Sequence, residues 1–201
     1  MTTDITPQFH LYIEQGVNFD HTFQWLNGGM FMAPIELIQE GYPTVITVTG
    51  HGLNATTAHP VILSGIEGIP KLNSEDTGLI LATRLTDNTF SVPLSSVGKQ
   101  WVPGTGELTY HLPTDITGGW TARAVIRRNW YSTTVIHEMT TANGGIILDE
   151  PSASIQLVIP KATTAGFAFR NAWYDVDMMN PSGEEFRVFK GPISLEREVS
   201  P

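Results

Sequence analysis

His137-Glu138 has the opening of a zinc-protease motif, in which two histidines one helical turn apart hold the metal and the glutamate acts as base. Met139-Thr140-Thr141-Ala142 supplies no second histidine, and the segment reads as a strand, so an exposed strand pair is the expectation. His51 and His59 flank a loop and could share a ligand, but His51 stands where a turn needs a side chain that satisfies backbone groups, and a structural role is expected of it. Asp175, Asp177, Glu184 and Glu185 lie on either side of a hairpin turn; oxygen-rich clusters suit calcium, and a solvated strand face accounts for them equally well. Serine, histidine and aspartate are all present, yet there is no Gly-x-Ser-x-Gly elbow and no recognisable spacing of nucleophile and base. No catalytic, cofactor-binding or metal-binding residue is assigned, and a non-enzymatic protein is expected.

The aromatic residues offer a different chemistry. Trp130-Tyr131 falls at an expected turn and Trp101 in an expected loop, where burial within the same domain is not assured. Large aromatics at such places anchor partner subunits or stack on sugars, so Trp101, Trp130 and Tyr131 are the candidate partner contacts, with core burial as the plainer alternative. Trp25, Trp120 and Trp173 are assigned to the core by their alternation.

The elements that must position these residues are strands. Among 201 residues, 19 glycines and 13 prolines are spread along the chain and only 15% are charged, while 41% are hydrophobic, enough for a real core. Phe19, His21, Phe23 and Trp25 alternate with Asp20, Thr22 and Gln24, the period of a half-buried strand. Asn27-Gly28-Gly29 then suggests a hairpin return onto Pro34 to Ile38. Thr44 to Thr49 is a β-branched run, and strands are expected at 61–63, 78–85 and 89–94, with Asp87-Asn88 as a turn and Gly98 to Gly106 as an exit loop. Trp120, Ala122, Ala124 and Ile126 alternate with Thr121, Arg123, Val125 and Arg127; Ile155, Leu157, Ile159 and then Tyr174, Val176, Met178 repeat the pattern. One short helical turn is expected at Lys161 to Ala165, and no longer helix.

Charge narrows the partners. The net charge is −9, and residues 1–70 hold six acids (Asp4, Glu14, Asp20, Glu36, Glu40, Glu67) with no lysine or arginine. Arg123, Arg127 and Arg128 form the only basic knot, which makes nucleic acid a poor partner. The chain has no cysteine, so no disulfide framework is available. No stretch reaches membrane-spanning length, and Met1 to Gln15 lacks the pattern of a leader, so a soluble product of a cytoplasm is expected.

The segment Thr47 to Val92 resembles the first catalytic cysteine half-domain of ubiquitin-activating enzymes, a small β module also attached by name to segments of bacteriophage structural proteins. The likeness rests on His51-Gly52-Leu53, Val61 to Gly68, Leu72-Asn73 and Thr89-Phe90-Ser91-Val92. Ubiquitin activation does not follow, since there is neither a nucleotide-binding domain nor a cysteine to form a thioester. The carboxy-terminal part resembles phage virion proteins encoded near tail and neck genes, through Gly119 to Arg123, Gly145 to Asp149, Tyr174-Asp175-Val176, Pro181 to Glu184 and Gly191-Pro192-Ile193.

Together these lead to an all-β expectation: an Ig-like antiparallel β-sandwich formed by 1–41 and 111–201, interrupted by a small β-barrel-like module over 42–110. The resemblances imply a non-enzymatic structural component of a bacteriophage virion, in the tail, neck or baseplate. It would be assembled in the host cytoplasm as one of several copies among other virion proteins, with no cofactor, nucleic acid or membrane partner. A carbohydrate- or receptor-binding module on the virion surface is the alternative.

Overall fold

A computed structural model describes residues 6–55 and 58–197; Asp4 of the acidic amino-terminal third lies outside them. Two strands come first, β1 (Leu11–Glu14) and β2 (Phe19–Gln24). Seven more follow: β3 (Met30–Pro34), β4 (Leu37–Gln39), β5 (Thr44–Thr47), β6 (His59–Ser64), β7 (Ile80–Arg84), β8 (Thr89–Val92) and β9 (Glu107–His111). The last six are β10 (Thr121–Arg127), β11 (Val135–Thr140), β12 (Ile146–Asp149), β13 (Ser154–Ile159), β14 (Asn171–Met179) and β15 (Glu185–Glu196). The only α-helical pieces among the described residues are single turns, α1 (Ser74–Thr77) and α2 (Lys161–Ala165).

The chain divides into two compact units, 1–25 with 115–201, and 26–114. The first is an all-β sandwich. One sheet runs β1-β15-β14-β10-β11, the other β12-β13-β2. Alternation directs one side of every strand into the space between them, where Ile126, Met139, Ile155, Leu157, Val176 and Met178 are fully buried. Pairing is antiparallel except for β1, which lies parallel to β15 with Leu11 opposite Ile193. The approach of the amino-terminal segment continues upstream of β1, where the Phe9 N–H donates to the Lys190 carbonyl at 3.0 Å. Gly191 makes this possible, since a Cβ there would stand 2.0 Å from the Phe9 carbonyl oxygen.

The second unit is a curled sheet in the order β3-β9-β6-β7-β8-β5-β4. Its two edge strands are consecutive in the chain. At the join, the Ile35 N–H donates to the Gly106 carbonyl on the β9 side (3.0 Å) and the Glu36 N–H to the Thr47 carbonyl on the β5 side (2.9 Å). One bent segment, Met30 to Gln39, thus supplies both end strands and curls the sheet into a barrel-like unit, called the barrel below, in which β3 and β4 each pair on one side. Val61, Leu63, Phe90, Ile46 and Leu108 fill it with no exposed surface.

The expected hairpin from Phe19–Trp25 onto Pro34–Ile38 does not form. β2 pairs with β13, placing Phe23 opposite Ile155, while β3 pairs with β9, placing Met32 opposite Thr109. Asn27-Gly28-Gly29 instead carries the chain out of one unit and into the other. A Cβ on Gly28 would meet the Pro113 carbonyl oxygen at 2.2 Å, so glycine serves close passage of the outgoing and returning segments. Those segments are laced by the Gly28 N–H to the Leu112 carbonyl (3.0 Å) and the Leu112 N–H to the Gly29 carbonyl (2.9 Å). Residues 26–41 and 111–114, which the sequence placed with the sandwich, therefore belong to the barrel unit.

Candidate functional site

The outer face of the five-stranded sheet carries the charged and aromatic residues that the sequence singled out. Register sets Arg123, Asp177 and Arg187 in one row and Val125, Asp175 and Lys190 in the next, with Arg127 beside Trp173 beyond. Asp177 accepts a hydrogen bond from Arg187 Nε at 2.9 Å, and Asp175 lies 3.6 Å from Arg127 Nη1 and 3.7 Å from Arg187 Nη2. Both carboxylates are deep, 15% and 12% exposed at the side chain, with the guanidinium groups over them. Glu138 pairs with Arg123 across the β10–β11 ladder. Glu184 is occupied elsewhere, accepting from the Asn180 amide at 2.7 Å in the turn, so Asp175, Asp177, Glu184 and Glu185 are not drawn into one cation cage.

Trp130 packs on Trp173 with ring centroids 4.2 Å apart, and the Lys190 ammonium stands 5.9 Å from the Trp130 centroid. Trp173 lies on this outer face and not in the core, because the inward positions of β14 are Tyr174, Val176 and Met178. Beneath the tryptophan pair, Val125, Arg127, Asn129 and Asp175 enclose a hollow of about 20 Å³, room for one water. Arg127 Nε is buried there without a partner. Trp130 thus has ring surface committed to Trp173 and to Lys190. Tyr131, at the loop tip, is 93% exposed.

Trp101 has a different fate. It is half-buried against the barrel core, and its indole N–H donates to the Thr105 carbonyl at 3.0 Å, which fastens the loop leading into β9. Trp25 and Trp120 pack against the sandwich core and against each other, 5.7 Å apart and edge-on.

Two of the three histidines of the barrel unit, His51 and His59, are buried, each bound to backbone. The Leu53 N–H donates to His51 Nδ1 at 3.1 Å, and His59 Nε2 meets the His111 carbonyl at 3.2 Å. Tyr110 stands at both: its hydroxyl donates to the His51 carbonyl, and its ring lies edge-on to His59 at 4.8 Å. The opposite ring nitrogens, His51 Nε2 and His59 Nδ1, have no partner. Burial, the largest influence on each, holds both below the ordinary imidazole value. These are neutral core histidines, fixing a turn and a strand end.

On β11, His137 lies edge-on to Phe167 at 5.8 Å while Glu138 pairs with Arg123, and both border an open hollow of about 240 Å³ with Asn143 and Thr163. Among the described residues no group of three or more His, Asp or Glu side chains could hold a metal ion. A wider hollow, about 440 Å³, is an open depression lined by Arg128, Ser132, Thr134, Ile136 and the 166–169 loop, with Arg128 as its one ionisable side chain.

The barrel wall was not anticipated. Outward positions on its β5 and β8 side are Val45, Thr47, Thr89 and Ser91, mostly polar as alternation dictates. On the β3, β9, β6 and β7 side the outward residues are Met30 and Met32, then Thr109, then Pro60 and Ile62, then Leu81. Met32, Thr109 and Ile62 lie directly across from one another, as do Pro60 and Leu81. Thr109 is only 7% exposed because its large neighbours close over it, which makes the surface continuous. The signal was present in the sequence as unbroken apolar runs, Met30 to Ala33 and Pro60 to Leu63.

Compared with known families and curated proteins, the chain matches no family model and none of those proteins.

Proposed function

We propose that this chain is a non-enzymatic structural component of a bacteriophage virion, in the tail, neck or baseplate, and that it works by being held against neighbouring subunits. The observation that carries the reading is the apolar wall of the barrel, a contiguous run of large side chains on a face where alternation calls for polar ones. The charged groups support it as well: Asp175 and Asp177 on the sandwich face are held by arginines, and the buried His51 and His59 are bonded to backbone. The phage assignment itself rests on the sequence resemblances. The partners are other virion proteins and further copies of the chain, and the virion is its destination after assembly in the host cytoplasm. A surface lectin is the second reading, favoured by Trp130, 46% exposed beside Trp173 and Lys190, and by Tyr131, 93% exposed.

The test is electron microscopy of purified particles whose copy of this chain carries a gold-binding tag in the exposed Pro181-Ser182-Gly183 turn. Gold at a fixed position on the tail, neck or baseplate is the expected result. Particles that assemble and infect normally yet never carry the tag would overturn the reading.

A further inference from the structure

We infer that two copies of this chain associate face to face through the apolar barrel wall, about a two-fold axis passing near Ile62. The inference rests on the reading of the chain as an assembly component and names the neighbour.

Three observations select this face and this occupant. Met30 to Gln39 pairs with β9 at one end and with β5 at the other, so the exposed side chains of the wall, and not only a strand edge, are what this unit offers a neighbour. The apolar surface is concentrated on one half of the wall: Met30, Met32, Ile62 and Leu81 keep 57%, 59%, 40% and 53% of their surface, and Leu79, just before β7, keeps 67%, while on the other half Leu37 keeps 44% across from Thr47. This amounts to bare apolar surface on the order of 500 Å², at the upper end of what monomers leave uncovered. Two such walls in contact bury on the order of 1,000 Å², the size at which specific association begins.

Charge then favours a second copy over a charged stranger. The rows Met32-Thr109-Ile62 and Pro60-Leu81 contain no ionisable group, so identical walls meet without like-charge repulsion at their centre and without burying a lone charge. At the rim stand His111 and Glu107, the outward residues of β9. The other acids of the unit are engaged or placed in turns. Glu36 accepts from the Thr49 N–H, Glu40 from the Gly98 N–H, and Asp87 pairs with Arg84, while Glu67 lies in the bend after β6 and Glu75 and Asp76 in α1. A two-fold contact is isologous: the same patch serves both copies, and residues near the axis meet their own counterparts.

The absence of cysteine makes the test direct. Sedimentation velocity of the whole chain up to about 100 µM should show a concentration-dependent dimer. Met32→Glu and Ile62→Glu should each weaken it about tenfold or more by stranding a carboxylate in the contact, and Thr47→Glu on the polar half should leave it unchanged. Ile62→Cys should form a disulfide-linked dimer under mild oxidation, and Thr47→Cys should not. Far-UV circular dichroism shows that each variant is folded. A wild-type chain that stays monomeric through this range overturns the inference, as does a dimer indifferent to both glutamates or an Ile62→Cys chain that never cross-links. The gold-labelling result is independent of these outcomes, so loss of the dimer alone leaves the virion reading standing.

Discussion

Closure of the barrel hinges on Gly106, and Gly106→Ala is the most direct perturbation of it. Gly106 has φ +96°, where L side chains are strained, and an added Cβ would lie 2.8 Å from Ile66 Cγ1 and 3.0 Å from Ile35 Cδ1. Both isoleucines are buried, and Ile35 is the residue whose N–H bonds the Gly106 carbonyl, so neither can retreat without opening the seam. Backbone strain of this kind costs roughly 1–3 kcal/mol, and overpacking a filled core adds roughly 1–3 kcal/mol. The variant should lose about 2–6 kcal/mol, a large part of a domain's whole stability. Gly104 is the built-in control, with φ +83° and nothing within 4 Å of its Cβ position. Gly104→Ala carries the strain alone and should cost only about 1–2 kcal/mol. Urea titration, with peptide-resolved hydrogen exchange to read β3, β4, β5 and β9 apart from the sandwich, measures both. If Gly106→Ala costs no more than Gly104→Ala, or if its added exchange falls away from the seam, the closure argument is wrong.

Acid should weaken the barrel. Burial holds His51 and His59 below their ordinary value of 6.5 in the folded chain, so the unfolded chain takes up protons first as pH falls. Stability is then full above about pH 6.5 and declines below it; a urea midpoint for the barrel that stays level from pH 8 to about pH 5 would contradict this. Asp177→Ala should destabilise the sandwich by about 1–2 kcal/mol, since it leaves Arg187 without its 2.9 Å acceptor, with the effect moderated by the solvent around the half-exposed guanidinium. Thermal unfolding measures it, and an unchanged midpoint would show the pair to be ornamental. Tyr131→Ser should move stability by less than about 0.5 kcal/mol because the ring is 93% exposed, so a larger loss in a melt would mean that the loop tip packs in a way the geometry does not contain.

The strands were legible where one face is wet. β13 and β14 show an uninterrupted alternation, and β10 departs from it only at the buried Val125; their inward residues, Ala124, Ile155 and Val176 among them, are the ones the pattern named. The short turn α2 and the strand carrying His137-Glu138 were legible too, and so was the need for His51 to satisfy a backbone group, met by the Leu53 N–H. What failed was partner choice. Asn27-Gly28-Gly29 has the composition of a hairpin turn, but composition specifies only that the backbone can bend or be approached there, and the approaching group is the Pro113 carbonyl, 85 residues later in the chain. Trp173 failed for another reason: it is assigned to the core by alternation, whereas the parity of its own strand, set by the inward Tyr174 and Val176, sends it outward to Trp130. Trp101 sits in a loop with no period, so only the tertiary fold could reveal its bond to Thr105.

The barrel wall brings these points to one argument. A strand with a wet face alternates, and a strand covered on both faces reads as a continuous apolar run. Met30 to Ala33 and Pro60 to Leu63 are such runs, yet the barrel covers only one side of each, with Phe31, Val61 and Leu63 inward and Met32 and Ile62 outward. On β5 and β8, in the same barrel, Thr47, Thr89 and Ser91 keep the alternation, so the departure is not a property of the fold. Covering by a neighbour accounts for it with the same rule that explains every other strand. Ile62→Thr then separates the two possibilities: it restores alternation on β6, and if the wall is bare in the working state it should be neutral or improve solubility. If the wall is a contact, the folded chain should keep its melting temperature as a monomer and lose association.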